Sequence, residues 1–247
     1  MKKYTKPQLL EGEEIRPLVL YFKEHPQYSI SNYGRYWSHM RRTGKGKGGG
    51  NGSVMVYDPD YWQERKWSKE TQLKHYKNGQ KYNKVVALYT KFTCPKGFFD
   101  GTLLDDGHDY YSVSANAKTF HKRATCHQCI MWTFRPIREF PPDWLSAEDV
   151  ANTPEQVLKA LSMSLCVNHK NHQPEYDNYV DLEDPSKDKL EYILPSQNTK
   201  ESITYYNGST ENARELYLSG EYDARGRGED IVDLPTTKVK SILSFVE

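Results

Sequence analysis

The chain has 247 residues, 36% hydrophobic and 13% aromatic, with 34 basic against 33 acidic side chains and a net charge of +1. Its mean hydropathy of −0.86 is low for a single thick core, so the length points to small modules on a polar scaffold, in which 19 Tyr and 5 Trp supply scarce core or contact a partner. No apolar run approaches the roughly 18 residues of a membrane span, and the start Met1-Lys2-Lys3-Tyr4 lacks the apolar stretch of a secretory signal. Four cysteines do not read as a secreted disulfide framework, so a reducing cytoplasm is the expected setting.

Glu13 to Trp37 reads as a β-rich module. Gln27-Tyr28-Ser29-Ile30-Ser31 alternates, and Asn32-Tyr33-Gly34-Arg35 carries turn chemistry before another short strand. Arg41 to Gly52, RRTGKGKGGGNG, has too much glycine to pack; it predicts a linker, or an arm that orders on a phosphate backbone. Val85 to Tyr89 and Tyr110 to Ser114 read as strands, with turn-rich sequence at Cys94-Pro95-Lys96-Gly97 and Asp105-Asp106-Gly107. Ala124, Cys126, His127, Ile130, Met131 and Phe134 fit a helix that stops before Pro136. Thr153-Pro154 starts another, with Thr153 as N-cap, carrying Val157, Leu158, Leu161 and Leu165 on one face.

Cys166-Val167-Asn168-His169 is then a short strand ending in a histidine. An acidic stretch follows, then a strand at Lys189 to Leu194 and a helix from Pro195-Ser196-Gln197-Asn198 through Tyr206, stopping at Asn207-Gly208. The tail from Glu211 has a helix-like start, a Gly/Arg linker and a final helical stretch; contacting DNA and closing the domain are both open to it. Charge is segregated: Arg35–Lys47 holds five Lys/Arg and no acid, Glu64–Lys84 seven against two Glu, and Ala117–Arg138 five and no acid. Such a chain can hold a polyanion on one side, although charge runs are more often solvated faces.

The segment VNHKNH…DNY…DKLEYILPSQNTKES…YNG resembles the HNH motif of phage and intron-encoded homing endonucleases. Upstream, Phe120-His121-Lys122-Arg123 through Trp132-Thr133-Phe134-Arg135-Pro136 is similar to the strand-helix segment preceding that motif. Glu14-Ile15-Arg16-Pro17 with Tyr28 to Ser38 is similar to the N-terminal module such nucleases carry. The three matches fall in the family's own order and cover about half the chain. They leave 41–107 and 209–247 largely outside, with 138–164 as an insertion.

The resemblance implies an α+β fold: a ββα-metal nuclease core behind a small β-rich N-terminal module, in an extended multi-module chain. The expected divisions are 1–52 (module and Gly/Lys linker), 53–107 (β-rich connection), 108–208 (nuclease) and 209–247 (helical tail). It also implies a metal-dependent endonuclease nicking or cutting double-stranded DNA, bound as a monomer in the cytoplasm of a phage-infected bacterial host, with no membrane partner or small-molecule substrate. Cutting a phosphodiester requires an activated water, an ion on the scissile phosphate and support for the leaving group. Residue by residue, the resemblance makes His169 the general base and Asn168 and Asn198 ligands of a divalent ion, Mg²⁺ with Mn²⁺ as the alternative. Asn178 supports the hairpin, and His121, at a strand-to-helix junction, braces it. Arg35, Arg41, Arg42, Lys45 and Lys47 are the candidate DNA phosphate contacts.

The departures are specific. Asn168 replaces a carboxylate, so an ion would be held more weakly; Asp177, Asp181 and Asp184 are candidate substitutes. Cys126-His127-Gln128-Cys129 supplies only two of the four ligands of a structural zinc and falls inside a helical pattern, so buried helix cysteines explain it with less. Two other classes stay open: a DNA-binding protein on a decayed nuclease fold, and an RNA-binding accessory protein stacking bases on its tyrosines.

Overall fold

The computed structural model describes residues 4–43, 54–75, 81–100, 118–171 and 173–194. Asn198, Lys45, Lys47, the strand expected at Tyr110–Ser114, the helix expected after Pro195 and the tail lie outside them. The described residues form mostly sheet with few helices, an α+β arrangement, and no helix among them is long and apolar enough to cross a membrane. Two compact units divide the chain, Met1–Met163 with Val167–Tyr192, and Ser164–Cys166 with Ile193–Glu247; every element from Ile15 to Phe134 lies in the first.

The N-terminal sheet is built from β1 (Ile15–Leu20), β2 (Lys23–Ser31) and β3 (Tyr36–Ser38), joined by β6 (Gln63–Arg65) in the order β1-β2-β3-β6. Leu20 pairs with Lys23 across a two-residue reversal, and both residues of that turn have positive φ, Tyr21 at 49° and Phe22 at 65°. A reversal of this hand matches strand twist but is normally made by Asn or Gly. Here two half-buried aromatic residues adopt it, and their rings pack on Trp132, centroids 4.6 and 5.6 Å away.

The strands on either side of the glycine-rich segment, β4 (Met40–Thr43) and β5 (Val54–Tyr57), pair antiparallel, Thr43 opposite Val54. The glycine-rich segment expected as a linker lies between them, outside the described residues. β6, inside the expected connecting region, is the fourth strand of the N-terminal sheet. β7 (Ser68–His75), β8 (Lys81–Pro95) and β9 (Thr119–Thr125) form an antiparallel sheet in that order. β8 runs on through Cys94-Pro95, past the expected turn, because its partner β9 continues alongside to Thr119.

α1 (Cys126–Phe134) begins where the Gln128 side chain accepts from the Thr125 N–H at 3.2 Å and ends at Arg135, before Pro136. It packs against β1, β2, β8 and β9 and is buried nearly all round, so its polarity pattern is that of a core helix. Leu18, Leu20, Ile30, Trp37, Phe92, Ile130 and Phe134 are within 1% of complete burial; each such side chain stabilises the fold by about 1.5–3 kcal/mol relative to exposure.

In the segment read as an insertion, α2 (Ala147–Asn152) precedes α3 (Glu155–Ser164). α2 has no clear periodicity to announce it; its cap is Ser146, whose hydroxyl accepts from Asp149 N–H at 3.0 Å. Arg138 clamps the two helices, donating to Val150 O, Thr153 O and the Glu155 carboxylate. β10 (Cys166–His169) and β11 (Leu190–Ile193) then form a two-stranded pair.

Candidate functional site

His169 closes β10, and the chain turns immediately into a long polar loop that returns as β11. The side chain is 7% exposed, and its Nε2 lies 3.2 Å from Asn178 Oδ1. The Asn178 amide is oriented by its other end, Nδ2 donating to Pro174 O at 2.8 Å. With Oδ1 thereby the acceptor, His169 donates to it from Nε2. Against the same ring stands His127, edge-on with centroids 4.9 Å apart.

His127 sits in the first turn of α1. Its Nδ1 is sealed and has no hydrogen-bond partner. Burial, then the neighbouring His169, push its pKa down to about 3, so it is a neutral ring at neutral pH. His127 is the neighbour of His169 that sequence reasoning misses. The signal is its place on the inward side of the α1 pattern, which by itself indicates only core.

Asn168, one residue earlier, donates its Nδ2 to Glu191 Oε1 on β11 at 3.0 Å. Neighbours on a strand leave on opposite faces, and these contacts agree: Asn168 meets β11's Glu191, while His169 meets Asn178 and His127. Glu191 is thus the carboxylate that stands beside Asn168. The three aspartates considered for that role are engaged elsewhere. Asp177 accepts from Asn171, Asp181 from the Tyr179 hydroxyl and two backbone N–H groups, and Asp184 from the Ser186 backbone and hydroxyl. Among the described residues no three His, Cys, Asp or Glu side chains converge as a metal cluster.

The loop carrying Asn178 is fixed by a buried ion pair. Arg135, just past α1, donates to Asp188 Oδ2 at 2.7 Å and Oδ1 at 3.0 Å, and also to Phe134 O and Asp181 O. Asp188 in turn accepts from Asp181 N–H at 2.7 Å. The N-terminal module grips the same loop: Asn32, fully buried, donates to Val180 O at 3.0 Å and takes the Val180 N–H on its own backbone carbonyl at 3.1 Å. Gly34, at φ +77°, sits so close that a Cβ would lie 2.9 Å from Cys126 Sγ and 3.1 Å from Asn178 O. Only glycine accepts that geometry without displacement.

His121 lies mid-strand on β9 and is exposed, its Nδ1 3.2 Å from Thr93 Oγ1 on the facing strand. It braces the β8–β9 ladder and not the β10–β11 pair, because the strand-to-helix junction falls at Thr125-Cys126, further along the chain than the sequence suggests. Arg35, expected on a phosphate, is bound to Glu13 through Nε at 2.8 Å and Nη2 at 2.5 Å, and to Gln8 O. Burial alone would raise the Glu13 carboxyl, but the Arg35 and backbone bonds outweigh it and hold it below its usual value. Arg41 and Arg42 lie exposed on β4, with Arg41 3.0 Å from Asp58. Cys126 and Cys129 are buried in α1 as free thiols; burial raises both pKa values, and Cys126 Sγ approaches Gly34 O at 3.7 Å.

No family model, curated protein or solved structure matches the chain.

Proposed function

We propose that the chain is a metal-dependent DNA endonuclease of the HNH type, with His169 as the base that activates water. The observation that carries this reading is a histidine at the end of one strand of a pair, its tautomer set by an amide that is itself fixed. Asn178 fixes the orientation of the ring, and the imidazole takes the water proton as the oxygen–phosphorus bond forms and the bridging P–O bond of the strand breaks, the leaving strand end taking a proton from solvent. His127, neutral and edge-on, limits rotation of the ring, and Arg135 with Asp188 keeps the loop that presents Asn178 in place.

The donors beside Asn168 match a divalent ion in kind but not in place, because Asn168 and Glu191 meet on the strand face opposite the His169 ring. The Asn168 amide oxygen and the Glu191 carboxylate are hard oxygens, and Mg²⁺ is commonly held by one or two carboxylates with waters completing its shell. Asn198, the third ligand the resemblance implies, lies outside the described residues. An ion held on the His169 face would supply charge stabilisation to the scissile phosphate.

The test is cleavage of supercoiled plasmid with Mg²⁺ or Mn²⁺, alongside gel-shift binding. Wild type is expected to relax or linearise the plasmid, His169→Ala to lose about 10²–10⁴ of the rate, and Asn178→Ala roughly 10²-fold through misplacement of the base, with DNA binding kept in all three. If wild type and His169→Ala leave the plasmid equally intact while both shift DNA, the enzyme reading fails. A decayed nuclease fold that binds DNA then takes its place. That second reading is favoured by Asn168 itself, a neutral amide on the strand face opposite the His169 ring.

A further inference from the structure

The ladder of β8 and β9 has one closed face and one open face. Phe92, Cys94, Phe120 and Ala124 are buried on the closed side, where the Phe92 ring meets Tyr28 and Tyr36. Side chains alternate along a strand, so Tyr89, Lys91 and Thr93 of β8 stand on the open side together with His121, Arg123 and Thr125 of β9. Pairing sets them in rows, Tyr89 opposite Thr125, Lys91 opposite Arg123 and Thr93 opposite His121. Contacts agree with that placement: the Arg123 guanidinium lies 4.3 Å over the Tyr89 ring, and His121 Nδ1 is 3.2 Å from Thr93 Oγ1. Lys91, His121 and Arg123 are all exposed.

Lys91 and Arg123 are thus two cations directly across from each other on the solvent side, a relation that destabilises a sheet. Around Lys91 the open face holds Tyr89 and Thr93 along β8, Arg123 opposite, and His121 and Thr125 on the diagonals, none of them an acid. Among the described residues Lys91 makes no ion pair, and Arg123 pairs with Glu70 of β7, the two side chains 48% and 41% exposed. Exposed pairs of this kind are weak, and a guanidinium fork keeps further donors. A bound polyanion accounts for the juxtaposition: a phosphate over the row cancels the repulsion and accepts charge-assisted bonds from both cations. β9 then leads into α1, whose His127 ring stands against His169.

We propose that the open face of the β8–β9 ladder is a docking surface for the backbone of duplex DNA, with Lys91 and Arg123 taking its phosphates. The identity of the polyanion rests on the endonuclease reading. Backbone contacts are independent of sequence, so the probe is a fluorescently labelled duplex of arbitrary sequence, bound to the full chain and read by anisotropy over a salt series. Lys91→Gln and Arg123→Gln should each reduce the slope of log K against log[salt] by about 0.9, the loss of one phosphate contact. Lys159→Gln, on α3, should leave it unchanged. Relief of the like-charge pair predicts that Lys91→Gln melts at or above the wild-type temperature, which separates lost contact from lost fold. An unchanged slope in either ladder variant overturns the proposal, and in a chain that still cuts plasmid it leaves the endonuclease reading standing. An equal fall with Lys159→Gln makes the effect one of net charge and overturns it as well. A slope that falls for a structured RNA hairpin and not for the duplex overturns it in favour of RNA. A fall confined to the ladder variants in a chain that never cleaves keeps the docking face and removes the endonuclease reading.

Discussion

Where β1, β2 and β3 meet α1, side chains such as Leu18, Ile30, Trp37 and Phe134 are sealed from water, whereas among the described residues of the loop from Lys170 to Lys189 the buried ones are Asn178, Val180 and Asp188, two of them polar. The sheet is held by apolar area, which is tolerant of direction; the loop is held by hydrogen bonds and an ion pair, which are not. A surface that must only exclude water can be made of Leu and Ile. A segment that must present one ring nitrogen of His169 in one orientation needs donors and acceptors at set positions, and Arg135, Asn178 and Asn32 supply them.

Removing the ion pair should break the contrast most sharply. Arg135→Leu leaves Asp188 buried without its partner, and loss of one member of a buried pair costs about 3–5 kcal/mol. Urea unfolding checks it; a loss below about 1 kcal/mol would mean that the loop is held by packing after all. Acid should act on the other region. His25, fully buried under the N-terminal sheet with Nε2 3.0 Å from Thr93 O, has its pKa lowered by burial to about 4 from 6.5. Its folded value is the lower one, so the stability it lends is complete above pH 6.5 and is lost as pH falls toward 4. The loss is about 3 kcal/mol between pH 7 and 4. Urea midpoints across that window should fall for wild type and fall less for His25→Gln. Gly34→Ala tests the seam between the regions. The strained φ and the short approaches to Cys126 and Asn178 predict a loss of about 1–3 kcal/mol, and because Asn178 orients His169, a slower cleavage rate at temperatures where the variant is fully folded. An alanine that lowers the melting temperature alone would separate the two regions.

Local periodicity carries much of this architecture. The strand at Cys166–His169 is legible with its bounds, and α1 and β11 to within two residues of theirs, because each has short-range alternation or a proline to end it. What escapes is pairing over distance. β6 joins β3 and β4 finds β5 through partners well removed along the chain, and nothing in Gln63–Arg65 itself announces a strand. The site divides the same way. His169 and Asn178 are legible from a spaced motif, although the contact between them is not. His127 and Glu191 are hidden, because their roles come from what faces them across the fold. Arg35 shows the converse: an arginine in a basic run points to an external phosphate, while Glu13, 22 positions earlier, binds it. Whether a charge faces inward is decided by tertiary neighbours that composition does not encode.

The exchange between Asn32 and Val180, in which the side-chain amide and the backbone N–H each donate to the other residue's carbonyl, has a consequence for recombination. A natural or engineered chimera that takes its first fifty or so residues from another chain would replace half of this latch and leave the Val180 N–H and C=O to find new partners in a buried place. The exchangeable cassette is therefore not the N-terminal module alone but the module together with the loop it grips, even though 148 positions separate them. Grafts cut at the glycine-rich segment should express poorly unless an asparagine arrives at the matching position.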